Sequence, residues 1–246
     1  MTVPRLHASH FTVFGDVHLA RRGSPACGPV RAEAFVAAVE ALIETSELVI
    51  VNGDLFDLER GPLPWRQSHE LCVIEPQHPH VRAVEHPRVV WLSGNHDHVL
   101  TCQGRAQRAV DVVTPAGVVR VEHGDRFNPP IKQWPAFASG VTWLSGRVRG
   151  GRQAPLYRAM KQVERVLAGE VDEGSGPGSV ERRAGRWLEG TDYAGLVIGH
   201  THRRYAEQVG DAWLLNPGES MRGVQAVRID GHGDALAWSW ETPQGA

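Results

Sequence analysis

Five apolar runs in this chain end beside a glycine, and each is followed at once by side chains able to bind a metal ion. "HFTVF" over 10–14 leads into Gly15-Asp16-Val17-His18, and "ELVIVNGD" over 47–54 leads on to Asp57. "RVVWLSGNHD" over 88–97, "GVVRVEHGD" over 117–125 and "AGLVIGHTH" over 194–202 repeat the plan. Continuous apolar runs of this length, bounded by turn residues, predict buried strands. "VRAEAFVAAVEALIET" over 30–45 carries apolar residues at helical spacing. "AWLLNPG" over 212–218 predicts another strand closed by a turn, with closing strands at 224–230 and 235–240. Strands that alternate with helices and carry polar tips predict an α/β fold. In such sheets the crevice beyond the strand carboxyl ends is where ligands bind.

The strand-end residues form one constellation: Asp16 and His18; Asp54 and Asp57; Asn95, His96 and Asp97; His123 and Asp125; His200 and His202. Any one of these short motifs arises by chance, and 13 histidines raise that chance. Five in order, each at a predicted strand end, point to a metal site. Residues two apart in an extended segment face the same side, so Asp16 with His18 and His200 with His202 are expected to present ligand pairs. Asp16, His18, Asp54, Asn95, His123, His200 and His202 are too many donors for one tetrahedral ion. They suit two ions sharing a carboxylate. Oxygen and imidazole donors without thiolate favour Mn²⁺, Fe, Zn²⁺ or Co²⁺, Mn²⁺ foremost.

Composition narrows the class. The 246 residues are 41% hydrophobic and 22% charged, as expected of one globular domain with a sizeable core. A net charge of −2 gives no global reason to expect a stable nucleic-acid partner. Cys27, Cys72 and Cys102 are odd in number and lack CxxC spacing, which argues against disulfides and thiolate metal sites and favours a reducing cytoplasm. The N-terminus shows no apolar signal-peptide core, and no apolar stretch approaches the roughly 20 residues of a membrane span.

These motifs, in this order from Asp16 to Gly218, resemble the calcineurin-like metallophosphoesterases. The resemblance implies a four-layer α/β/β/α sandwich: two mixed sheets flanked by helices, with a dinuclear centre at the strand tips. One divalent ion would take Asp16, His18, Asp54 and His202, and the other Asp54, Asn95, His123 and His200. His96 would serve as general acid, with Asp57 holding its ring. The chain would then hydrolyse a phosphodiester, pyrophosphate or monoester with a metal-bridging hydroxide, the two ions about 3.5–4 Å apart.

Residues 126–190 break the strand pattern and read as a helical insertion or lid, with a flexible link at 172–179. From 126 to 169 the basic residues include Arg147, Arg149 and Arg152, while Glu164 is the one acid; Trp134, Phe137 and Trp143 are interleaved. Either this is a solvated helical face, or it is a cationic cover for an anionic nucleotide or lipid substrate, with peripheral membrane contact. Its position, the His-Gly-Asp motif, and "GDVHL" and "GDLFD" look like the UDP-2,3-diacylglucosamine pyrophosphatases. Those enzymes carry arginine where this chain has His96. Leu58 stands where the family's protein phosphatases carry arginine. Rival readings are a nucleic-acid or cyclic-nucleotide phosphodiesterase and a non-catalytic interaction scaffold.

Overall fold

A computed structural model describes residues 2–22, 31–59, 66–128 and 178–243 except 234, together with Gly140. In chain order the strands are β1 (Arg5–His7), β2 (His10–Phe14), β3 (Leu48–Asn52), β4 (Val89–Leu92), β5 (Ala109–Thr114), β6 (Gly117–Glu122), β7 (Gly195–Val197), β8 (Tyr205–Val209), β9 (Ala212–Asn216), β10 (Ala226–His232) and β11 (Ala235–Glu241). The described helices are α1 (Ala32–Thr45), α2 (Gln67–Ile74), the single turn α3 (Val99–Cys102) and α4 (Ser179–Glu189), with short 3₁₀ turns at Glu75–Gln77, Pro79–Val84 and Asp125–Phe127.

Two mixed sheets result. One has the order β1-β5-β6-β7-β9-β8, the other β11-β10-β2-β3-β4. Side-chain alternation assigns the layers. Phe11 and Val13 of β2 and Leu48 and Ile50 of β3 face Val110, Val112, Val119, Val121, Val197 and Leu215 of the opposing sheet. The alternate residues Phe14, Val49 and Val51 pack instead on α1. There Phe35, Ala38, Val39, Leu42 and Ile43 form an i, i+3, i+4, i+7, i+8 stripe. On the far side Leu196, Ile198 and Leu214 pack on Val180, Ala184 and Leu188 of α4. The order of layers is therefore helix, sheet, sheet, helix. A strand such as β3, buried at all five positions, lies inside this stack, which explains its unbroken apolar run.

Parallel pairing puts the decisive tips at one end. β2, β3 and β4 run parallel, with Phe14 opposite Val51 and Asn52 opposite Leu92. In the other sheet β6, β7 and β9 run parallel, with Val121 opposite Val197 and Val197 opposite Leu215. The chain thus leaves each of these strands at nearly the same level. α4, which lies at the end of the predicted insertion, packs on the six-stranded sheet. The body of that insertion, with Arg147, Arg149 and Arg152, lies outside the described residues, as does Cys27. Cys72 and Cys102 are free thiols. Among the described residues no helix is long and apolar enough to cross a membrane.

Candidate metal centre

The strand tips do not simply run on in extended form. Asp16, His18, Asp54, His200 and His202 all have φ between +50° and +69°, and they are the non-glycine residues at positive φ among the described residues. The expected extended geometry of these tips is therefore corrected, although Asp16 and His18 still face one another across 3.7 Å. Each of these residues sits in the left-handed region, which costs of order 1–3 kcal/mol for a residue with a Cβ. The backbone is held there by cross-tip hydrogen bonds. Asp16 N–H donates to Gly53 O (3.1 Å), His18 N–H to Asp54 O (2.9 Å) and Gly199 N–H to His123 O (2.8 Å). Strain of this kind clusters at functional sites.

The side chains converge on Asp54, which is buried. One of its oxygens, Oδ2, lies 3.3 Å from His123 Nε2, 3.7 Å from His18 Nε2 and 3.9 Å from His96 Nε2. On one side His18 Nε2 and His202 Nε2 are 3.0 Å apart, and Asp16 Oδ1 is 3.7 Å and 3.4 Å from them. On the other side Asn95 Oδ1 is 3.3 Å from His123 Nε2, and the His123 and His200 rings meet edge to face at 5.3 Å. Donors bound to one small divalent ion at about 2.0–2.2 Å stand about 3.0–3.4 Å from one another. Most of these separations fall in or near that interval. Asp16 Oδ1 is buried and makes no hydrogen bond among the described residues. These residues therefore fit a divalent cation.

Close backbone approach makes the convergence possible. A Cβ on Gly94 would lie 2.0 Å from Asp54 Oδ1, and one on Gly199 would lie 2.6 Å from Asp16 Oδ2. Those two oxygens are occupied by the backbone: Asp54 Oδ1 accepts from His96 N–H (2.9 Å) and Asp16 Oδ2 from His200 N–H (3.1 Å). Each carboxylate is thereby fixed by one oxygen and offers the other to the site. His123 Nδ1 lies 3.0 Å from Asn52 O, so that carbonyl sets the tautomer that leaves Nε2 facing Asp54. His96 Nδ1 lies 3.1 Å from Asp57 Oδ1.

The electrostatics record a surplus of negative charge at the centre. Burial pushes the pKa of His96 down, but Asp54 and Asp57 outweigh it and push it up to about 10. Burial acts likewise on His123, and Asp54 with Asp16 pushes it up to about 10. Asp54 is held well below the usual carboxylate range. Burial works the other way there, and His123, His96 and His18 prevail. His200 is pushed down to about 4 by burial and by His123. Without cations, the centre gathers protons on imidazole to neutralise its carboxylates.

A match to the family model described as calcineurin-like phosphoesterase spans residues 9–204 and takes in all five tips. This chain belongs to the calcineurin-like phosphoesterase family. It is, with that family, a metal-dependent phosphoester hydrolase. A search of curated protein sequences found no match. Among solved structures the phosphoesterase is similar to a conserved predicted phosphoesterase from Streptococcus pneumoniae (13% identity, 96% of this chain and 90% of that one, TM-score 0.48). It is also similar to Vacuolar Protein Sorting 29 from Cryptosporidium parvum (14%, 96% and 98%, TM-score 0.44) and to an archaeal phosphodiesterase (14%, 94% and 99%, TM-score 0.40).

Several neighbours of the centre were not legible from the sequence. Asp97 ties its loop to the Asp54 loop: Oδ1 accepts from Gly94 N–H (2.8 Å) and Oδ2 from Leu55 and Phe56 N–H (2.9 and 3.3 Å). Arg108 donates to Gly94 O (3.1 Å) and to Asp125 Oδ2 (2.7 Å), tying the Asn95 loop to the His123 loop. Buried Glu181 of α4 accepts from Thr201 Oγ1 (2.7 Å), between His200 and His202. Glu219 lies 3.5 Å from His202 Nδ1, and Asn128 Nδ2 lies 3.1 Å from His200 Nε2. Asp97 and Asp125 stand in the Gly-Asn-His-Asp and His-Gly-Asp motifs; Arg108, Glu181, Glu219 and Asn128 sit in no recognisable motif.

Proposed function

We propose that this phosphoesterase works with two divalent cations. Asp16, His18, Asp54 and His202 hold one, and Asp54, Asn95, His123 and His200 hold the other. The observation that carries this reading is the meeting of His18, His96 and His123, from three other strand tips, on one oxygen of Asp54, with His202 of the fifth tip against His18 and Asp16. Bound divalent cations supply Lewis acidity toward phosphoryl oxygens and a water acidic enough to attack at neutral pH. Asp54, fixed by the His96 N–H, keeps its free oxygen aimed between the two halves.

His96 is the general acid. Asp57 holds Nδ1, which turns Nε2 toward the centre, 3.9 Å from Asp54 Oδ2, where a departing oxygen can take its proton. The two carboxylates beside His96 favour the protonated ring that this role needs. Two substitutions test the assignment. Asp54→Ala is expected to lose bound metal and turnover together. His96→Ala is expected to retain two metal equivalents yet lose about 10²–10⁴-fold in kcat, most on esters with poor leaving groups. A His96→Ala protein that no longer binds metal would assign His96 to coordination instead.

The substrate is a phosphorylated small molecule, nucleotide or lipid. A panel of simple mono- and diesters, nucleotides and a UDP-lipid pyrophosphate, assayed with Mn²⁺, decides among monoesterase, diesterase and pyrophosphatase. Arg147, Arg149 and Arg152 contribute to binding an anionic group of that substrate. Neutralising all three is expected to raise KM for the true substrate and leave a small chromogenic diester unaffected; equal effects on both would deny them a part in specificity.

A further inference from the structure

The loop that carries His200 and His202 folds back on itself. Thr201 N–H donates to Gly199 O (2.8 Å), a three-residue turn with His200 at its middle and φ +69° there. Such turns with positive φ at the centre are rare and strained, and His202 is left-handed as well, at +58°. The loop is held from outside. Asn216, the fully buried last residue of β9, uses its amide on it twice: Nδ2 donates to Gly199 O (3.0 Å) and to Thr201 Oγ1 (3.0 Å). The Thr201 hydroxyl accepts there, so its one proton is left to give. It donates to Glu181 Oε1 (2.7 Å). Glu181 is 1% exposed and stands in the first turn of α4. A carboxylate is costly to bury, and the helix does not need one to pack. Val180, Ala184 and Leu188 already seat it on Leu196, Ile198 and Leu214.

We propose that Glu181 is a positioning residue for the metal centre: through the Thr201 hydroxyl it holds the left-handed loop that brings His202 to Asp16 and His18. This rests on the reading above that His202 holds a cation. His202 Nε2 stands 3.4 Å from Asp16 Oδ1 and 3.0 Å from His18 Nε2. His200 N–H, in the same loop, donates to Asp16 Oδ2 (3.1 Å). A loop that relaxed would therefore move His202 and loosen Asp16 together. A carboxylate makes a stronger acceptor than a neutral group, which suits it to hold a strained backbone. The three groups form one directed chain, Asn216 to Thr201 to Glu181, with each donor matched to an acceptor. The same helix reaches a second tip, because Arg183 Nη1 donates to Phe127 O (3.3 Å) in the turn after His123. The helix at the end of the predicted insertion thereby has a hand in the centre, whatever the rest of that insertion binds.

The test is Mn²⁺ binding by calorimetry on the intact chain, with circular dichroism and the metal-free thermal midpoint measured alongside. Glu181→Ala is expected to weaken at least one binding event about tenfold or more, as loss of an outer partner of a metal ligand does. Glu181→Gln keeps an acceptor oxygen for the hydroxyl and is expected to restore most of that loss. Thr201→Val deletes the hydroxyl and is expected to match Glu181→Ala. The double variant should bind no more weakly than the weaker single one, because both act through one bond. A folded Glu181→Ala protein that binds Mn²⁺ as the parent does, with only its metal-free midpoint lowered, would overturn the proposal and leave the dinuclear reading intact. A Glu181→Gln protein as weak as Glu181→Ala would also overturn it, since charge and not the bond would then be at work. A parent that takes up one Mn²⁺ would defeat the dinuclear reading; Glu181 keeps its role if Glu181→Ala weakens that one event and loses it otherwise. A parent that takes up none would defeat both. If Glu181→Ala fails to fold, Thr201→Val replaces it with the same expectation.

Discussion

At the residue scale the centre is defined by how close backbone comes to carboxylate. Gly94 has no room for a methyl group, because the space is already filled by Asp54 Oδ1. Asp54 cannot retreat, since that same oxygen is bonded to His96 N–H. Gly94→Ala is therefore expected to displace Asp54 and, on the proposed dinuclear reading, to weaken both cations at once. Overpacking of this kind costs about 1–3 kcal/mol, so the thermal midpoint should fall while metal uptake, read by calorimetry, drops further. Gly104, where a Cβ would meet nothing within 4 Å among the described residues, is the control position for close approach, with its own positive φ of +71°. Asp97 shows a second use of a carboxylate at this scale. It is buried, and burial followed by Asp54 pushes it up to about 7. Its backbone bonds hold the two loops together.

At the element scale the tips are loops fixed against one another, and the fixing residues come from outside the motifs. Arg108 stands just ahead of β5 and bridges Gly94 O to Asp125, so it holds Asn95 in register with His123. Arg108→Ala is expected to cost about tenfold in metal affinity or turnover, as outer partners of metal ligands do. Arg108→Lys should restore little, because a single ammonium cannot span both acceptors. A full return of metal affinity in Arg108→Lys would reduce Arg108 to a charge. This also shows what the sequence carries and what it does not. β2, β3, β4, β6, β7 and β9 were legible because long apolar runs are interrupted by glycine. β1 is three residues at a sheet edge, and β8, with Glu207 and Gln208, is a half-exposed edge strand, so neither has such a run. β5 carries Asp111 inside its run, buried against Arg120, and so reads as a broken strand. Likewise α2 is short and places Gln67 and Glu70 on its buried side, with Glu70 paired to Arg21, so its sequence lacks an apolar stripe. The candidate ligands were legible as residue types. Their left-handed backbone was not, because Asp and His carry no local signal for positive φ comparable to glycine's.

At the scale of the whole molecule, two sheets are clamped by an apolar layer at their centre and joined at one end by a cluster of charge. Ile50→Ala removes a fully buried side chain from the layer between the sheets, which should cost about 2–5 kcal/mol without changing metal stoichiometry; a lost metal equivalent would show that the core layer itself sets the tips. The charged end behaves oppositely. With His123 pushed up to about 10 by Asp54 and Asp16 against its burial, the metal-free chain carries a proton on that ring at pH 8. Coordination needs the bare nitrogen, so uptake of a cation must release that proton. Mn²⁺ binding measured by calorimetry at pH 8, in buffers of different ionisation heat, should therefore show net proton release. The sign follows for affinity: as pH falls, protons compete more strongly for His123 and binding weakens, and as pH rises it tightens. On the proposed assignment the cations bind only the folded arrangement, since loops far apart in sequence would supply the ligands. At a hundredfold excess over Kd a single bound ion adds about 2.7 kcal/mol to stability. A chelator should lower the thermal midpoint of the parent chain and leave that of Asp54→Ala unmoved. An equal drop in both would mean that the chelated metal sits elsewhere, and a calorimetric signal independent of buffer would mean that His123 is not a ligand.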